Sequence, residues 1–350
     1  MTQPPAGPPG ATRSGLPSKE SLTRVTPVTL FALGGTISMT GDDGGGVVAR
    51  LTGRDLADSA GGLGGVAIDI RDAGAEPSAN LSFADILDVV EAAGDAAAKG
   101  ARGIVLTQGT DTLEETAFLV DSVWQHDTPF VLTGAMRNPT LPGADGPANL
   151  NAALLVAASA AARGRGALVV FSDEIHAARL VRKAHSTSTA AFTSPDVGAI
   201  GHVVERLPRF LASVSRRTPV VIPARDRLAA TRIALYTTTF DDDGALLDQV
   251  ALAHQGLVVA GFGAGHVPAA LSPALGKLAA TMPVVLTSRT GAGPVLSATY
   301  GAIGSERDLQ ELGLINGGFA HPYKARVLLR LLAAQGASVS AIADAFAELG

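Results

Sequence analysis

From Val25 onward, short runs of Val, Ile, Leu and Phe alternate with longer, Ala-rich segments of amphipathic spacing. Continuous apolar runs of this length suit strands buried on both faces, and their alternation with helix-length segments is the signature of βαβ units around a mostly parallel sheet. Strands are predicted over VTLFAL (28–33), GIVLT (103–107), PFVLT (129–133) and ALVVF (167–171). Between the first two, residues 82–99 set Ile86, Leu87, Val89, Val90 and Ala93 on one helical face, opened by Ser82 with Asp85 three residues on. That spacing predicts a helix with a capping box.

At SVSRRTPVVIPARDR (213–227) prolines and arginines break the apolar pattern, as a linker does. The alternation restarts with RIALY (232–236), GLVVA (256–260) and MPVVL (282–286), and closes with helix-like segments over 323–334 and 340–349. The expected fold is therefore α/β: a larger N-terminal domain over 26–212 with a doubly wound, mostly parallel sheet, a linker over 213–228 and a smaller C-terminal α/β domain over 229–350. Residues 1–25, rich in Pro, Gly and Ser, read as a disordered tail.

Composition narrows the function. With 350 residues, 47% hydrophobic and 17% charged, the chain can bury a full core, which excludes a disordered or fibrous protein. A net charge of −5 with scattered Lys and Arg leaves no basic stripe for a phosphate backbone, so no nucleic-acid partner is expected. The absence of cysteine excludes a disulfide framework, a thiolate metal site and a cysteine nucleophile together. The longest stretch without Asp, Glu, Lys or Arg, 249–276, is interrupted by His254, Gln255, His266 and prolines, so no membrane span is expected. The N-terminus lacks the apolar centre of a signal peptide, and a cytoplasmic location is expected. There is no Walker-type loop, G-x-S-x-G elbow, H-E-x-x-H pair or dinucleotide fingerprint, and the seven histidines lack ligand-like spacing. Neither a metal nor an organic cofactor is implied; His176 and His185 read as surface or hydrogen-bonded residues.

Three segments carry candidate chemistry. In LFALGGTIS (30–38) an apolar strand runs into Gly34 and Gly35, a turn in which the backbone can approach a ligand while Thr36 projects at the carboxyl end of a strand. A plain strand-to-loop turn has the same spacing. In LTQGTDTLEETAF (106–118) the order is strand, glycine, polar residues, helix; Asp111 with Glu114 has N-cap spacing, yet Thr110 and Asp111 sit where Thr36 also sits if both strands are central. In RLVRKAHSTSTAAFTSP (179–195) Lys183 precedes small polar residues. It is a solvated surface charge or, if buried beside Thr110, an amine whose lowered pKa lets it serve as a base.

Taken together and in this order, the segments resemble the bacterial-type L-asparaginase family, amidohydrolases that use threonine. The resemblance rests on Gly34-Gly35-Thr36, on the motif from Gly109 to Thr116, on GAMRNPTLPGADGPANLNAA (134–153) and on PYKARVLL (322–329), and it spans 28–350. It implies that Thr36 attacks the side-chain amide of L-asparagine, releasing ammonia and leaving a β-aspartyl ester for water. Thr110, Lys183 and Asp111 would form the neighbouring triad; Ser78, Thr110 and Asp111 would bind the substrate, with Asp111 against its α-ammonium and Ser78 against its α-carboxylate. L-Glutamine is the nearest competing substrate. The resemblance further implies a homotetramer or homodimer in which Glu306, Tyr300 and His266 contribute to a neighbouring site. The other readings are the amidase subunit of a tRNA amidotransferase and a catalytically weak or silent amino-acid-binding homologue. Four features depart from the better-known members: no tyrosine precedes Tyr236, so the glycine-rich loop 39–50 has none; Ala79 replaces a polar residue; Ala264 and His266 stand where asparagines are frequent; and Leu33 replaces a threonine.

Overall fold

The computed structural model describes residues 27–40, 48–49, 51–61 and 67–350. The expected tail and most of the 39–50 loop lie outside the described residues. In chain order the first part contains β1 (Val28–Ala32), β2 (Met39–Thr40), β3 (Val48–Ala49), α1 (Gly53–Ser59), β4 (Ile68–Asp72), α2 (Phe83–Ala98), β5 (Gly103–Thr107) and α3 (Leu113–Val123). It continues with β6 (Phe130–Thr133), α4 (Gly146–Ala158), β7 (Ala167–Phe171), β8 (Glu174–Ala177), β9 (Arg182–Lys183), β10 (Phe192–Thr193), β11 (Gly201–Val204) and β12 (Leu207–Phe210).

Eight of these strands form one sheet in the order β12-β11-β8-β7-β6-β5-β1-β4, parallel from β7 to β4 and antiparallel at the β8, β11 and β12 end. The central strands β1, β5, β6 and β7 are buried throughout, as their unbroken apolar runs require. Helices cover both faces: α2 and α3 pack on one, α1 and α4 on the other. The capping box is present, with Ser82 and Asp85 exchanging side-chain and backbone bonds at the start of α2.

After β1 the chain crosses to β4 on one side, then returns past β1 to place β5 on the other. The carboxyl ends of β1 and β5 therefore flank the reversal of strand order, where open α/β sheets leave a crevice for ligands. Thr36 follows β1 and Thr110 follows β5.

The second part contains α5 (Arg225–Ala230), β13 (Ile233–Thr237), α6 (Leu247–Ala253), β14 (Gly256–Gly261), α7 (Ser272–Ala279), β15 (Val284–Ser288), α8 (Glu306–Glu311), β16 (Ile315–Asn316), α9 (Pro322–Gln335) and α10 (Val339–Ala347). Its four strands form a parallel sheet in chain order. The α2/α3 core layer is continuous with α9, α10 and one face of this smaller sheet, so the two sheets share buried apolar surface. Residues 211–224 form no helix or strand, yet the segment is packed: Arg217 is buried and the Val220 N–H donates to the Ser122 carbonyl at 2.7 Å. Among the described residues no helix is long and apolar enough to cross a membrane.

Candidate active site

The Gly34-Gly35-Thr36 turn and the loop after β5 meet backbone to backbone. Gly34 and Gly35 have φ of +82° and +88°, and a Cβ on Gly35 would stand 2.2 Å from the Gly109 nitrogen. Only glycine satisfies both the left-handed conformation and the contact. Gly35→Ala is thus expected to lower stability by more than about 2 kcal/mol, read as a fall in thermal midpoint; an unchanged midpoint would show that the two loops can separate freely. Thr36 opens a one-turn 3-10 helix, Thr36–Ser38, in which the Ser38 N–H and hydroxyl both donate to the Gly35 carbonyl. Its side chain is half-buried.

Ser78 closes the same cluster from below. It is buried in a 3-10 turn after β4, its Oγ lies 2.6 Å from where a Cβ on Gly109 would be, and its carbonyl accepts from Thr112 Oγ1 at 2.9 Å. A third wall comes from the loop after β6. There the Asp145 carboxylate accepts from the Met136 and Arg137 N–H groups, and Asn149 donates to the Gly134 carbonyl while accepting from the Ser172 N–H. The DGPANL stretch (145–150) therefore holds the GAMR turn (134–137) in place.

Lys183 reaches this floor from β9. Its ammonium donates to Thr110 Oγ1 at 2.9 Å and to Asp111 Oδ1 at 2.8 Å. The Lys183 side chain is 15% exposed and that of Asp111 70%, so the amine is largely enclosed while the carboxylate opens outward. Thr112 is the cap residue of α3, without a side-chain cap bond. Asp111 is thus not an N-cap, and of the two readings its spacing allows, the ion pair with Lys183 is the one the fold realises. An enclosed amine on a hydroxyl can take or return that hydroxyl's proton, and the adjacent carboxylate aligns it.

The three C-terminal candidates also cluster, but differently. Glu306 is 0% exposed; one oxygen meets His266 Nε2 at 3.1 Å and the other accepts from the Thr299 and Tyr300 N–H groups. Burial pushes its carboxyl up, but the Tyr300 N–H and the remaining donors outweigh that and hold it below the usual carboxylate range. Its carboxylate is spent on His266 and on the Thr299 and Tyr300 N–H groups of the same chain. The His266 and Tyr300 rings are half-exposed and meet edge to face at 4.8 Å. His176 is buried between Ser194 and Glu174, and His185 accepts from the Thr187 and Ser188 N–H groups. Among the described residues no group of three His, Asp or Glu side chains is arranged to hold a metal ion.

Two residues beside the site had no site role in the sequence reading, where Glu114 figured only as a cap partner for Asp111. Glu114, on the first turn of α3, is buried; burial pushes its carboxyl up, opposed chiefly by Lys324. Lys324, on the first turn of α9, is 1% exposed, and burial pushes its ammonium down to about 7, opposed by Glu114. A signal existed for Lys324: it precedes Val327, Leu328 and Leu331 by three, four and seven positions, on the apolar stripe of a helix.

Comparison with known proteins shows what the chain is similar to. A family model described as "Asparaginase, N-terminal" matches residues 27–215, and one described as "Glutaminase/Asparaginase C-terminal domain" matches 232–346. The chain is 34% identical over 345 residues to the "Probable L-asparaginase periplasmic" of Haemophilus influenzae, covering 90% of this chain and 95% of that protein. It is 33% identical over 262 residues to the "Glutaminase-asparaginase" of Acinetobacter glutaminasificans, covering 73% and 77%. Among solved structures it resembles the "Probable Cytoplasmic L-asparaginase" of Campylobacter jejuni with a TM-score of 0.81 and 28% identity, covering 92% of this chain and 99% of that one.

Proposed function

Because the chain belongs to the asparaginase family of amidohydrolases, we propose that it is an L-asparaginase working through Thr36. The Thr36 hydroxyl attacks the side-chain amide carbon; the C–N bond breaks as the nitrogen gains a proton, and ammonia leaves. The β-aspartyl ester on Thr36 is then attacked by water, whose addition breaks the ester C–O bond and returns a proton to Thr36. The observation that carries this reading is the Lys183 to Thr110 and Asp111 bonding, at 2.9 and 2.8 Å, at the sheet's point of reversed strand order and against the loop that Gly35 touches.

In the proposed mechanism Thr110 and Lys183 move the protons. With no tyrosine before Tyr236, that pair is the activating group for Thr36. Asp111, its carboxylate turned outward, pairs with the substrate's α-ammonium, and Ser78 with its α-carboxylate, which selects a free amino acid. Two charged ends flanking the amide hold it for attack, and orientation of that kind supplies much of a catalytic rate. His266 and Tyr300, held by Glu306, are proposed to complete the site of a neighbouring copy in a homodimer or homotetramer. A cytoplasmic location remains part of the proposal; one relative is named periplasmic and one structural neighbour cytoplasmic.

The test is ammonia release from L-asparagine and, separately, from L-glutamine over a wide concentration range. Saturable release with asparagine preferred is the expected result. The name of the Acinetobacter relative makes glutamine the comparison that matters. Ligand-induced thermal stabilisation without ammonia would sink the enzyme reading in favour of a binding protein.

A further inference from the structure

We infer that Lys324 is a positioning residue for Lys183, so that the C-terminal half of the chain sets the site's amine in place. The inference rests on the role proposed above for Lys183. The Lys324 ammonium donates to the carbonyls of Ala178, at 2.8 Å, and of Val181. Both belong to the turn that leads from β8 into β9, five and two residues ahead of Lys183. On the far side lies the buried carboxylate of Glu114, four residues after Thr110 on the chain, which interacts electrostatically with both Lys324 and Lys183. Glu114 Oε2 is buried without a hydrogen-bond partner, and the Lys324 charge opposes the effect of burial on this carboxyl. A second C-terminal contact grips the same segment, where Arg182 donates to the Gly291 carbonyl.

Such outside support answers a deficit in β9 itself. The strand has two residues and pairs only with the two of β10, too short a ladder to fix a long side chain. An ammonium on the apolar stripe of α9 is costly to bury unless its donors are used, and an apolar residue would pack there without that cost. The donors are used on the carbonyls that aim β9. Since proton transfer between Lys183 and Thr110 depends on a 2.9 Å contact, loosening the turn acts on rate before affinity. Lys324 touches no reacting atom in this scheme.

Lys324→Met keeps the length of the stem and removes the donors. A misplacement near 1 Å costs on the order of 100-fold, so kcat is expected to fall by about 10- to 100-fold with KM within about threefold and circular dichroism unchanged. A folded Lys324→Met with kcat within about twofold of the parent would overturn the inference. If that variant does not fold, Glu114→Leu, which removes the buried carboxylate that interacts electrostatically with Lys324 and Lys183, is expected to show the same split, and unchanged turnover there overturns it equally. If the parent protein releases no ammonia, the proposed function is what has failed, and crystal structures decide this point instead. Lys183 Nζ displaced from Thr110 in Lys324→Met supports the positioning, and the contact retained refutes it.

Discussion

Thr36→Ala is expected to leave a folded protein whose ammonia release from L-asparagine is at least ~10³-fold below the parent's. The substitution removes one hydroxyl and one methyl from a half-buried side chain. The bonds that shape the turn run from the Ser38 N–H and hydroxyl to the Gly35 carbonyl and do not use the Thr36 hydroxyl. Loss of activity without loss of thermal midpoint would therefore report on chemistry rather than folding. Thr36→Ser keeps the attacking oxygen and is expected to retain measurable release, which Ala does not. Should Thr36→Ala keep more than about a tenth of the parent rate, another group is the nucleophile and the covalent ester goes with it.

Lys183→Met is expected to lower the rate by at least ~100-fold, the usual scale for a lost proton-transfer partner. The amine is largely enclosed and makes two charge-assisted contacts, to Thr110 and Asp111. Met retains the stem and so isolates the nitrogen. Lys183→Arg separates the possible roles: a guanidinium keeps the positive charge but does not lose its proton at working pH. If Lys183 only balances the Asp111 charge, Arg restores activity; if it carries a proton, Arg stays near the Met level. Near-normal turnover in Lys183→Met would remove this residue from the mechanism.

Much of the fold could be read along the chain. The apolar runs at 28–33, 103–107 and 167–171 are strands because nothing in them tolerates water, and Ser82 with Asp85 begins α2 because a capping box works within one turn. The motif around Gly109 was legible as a strand-to-helix junction, since glycines there answer a local steric demand. Asp111 could be a cap or a site residue because both uses have the same spacing; the fold makes Thr112 the cap residue and pairs Asp111 with Lys183.

What the sequence determined by itself was whatever depends on near neighbours: strand and helix positions, caps, the glycine turns, and a resemblance strong enough to name a family. What only the tertiary structure decided was every contact that joins distant positions. Lys183 lies 73 residues from Thr110, and Lys324 lies 146 from Ala178; hydrophobic periodicity records which face of an element is buried, not which element covers it. The buried ammonium of Lys324 looks like an ordinary charge in the sequence, and the enclosed carboxylate of Glu114 like the partner of a helix cap. Their meaning came from desolvation, which exists only once the helices, the sheets and the loops around them have closed.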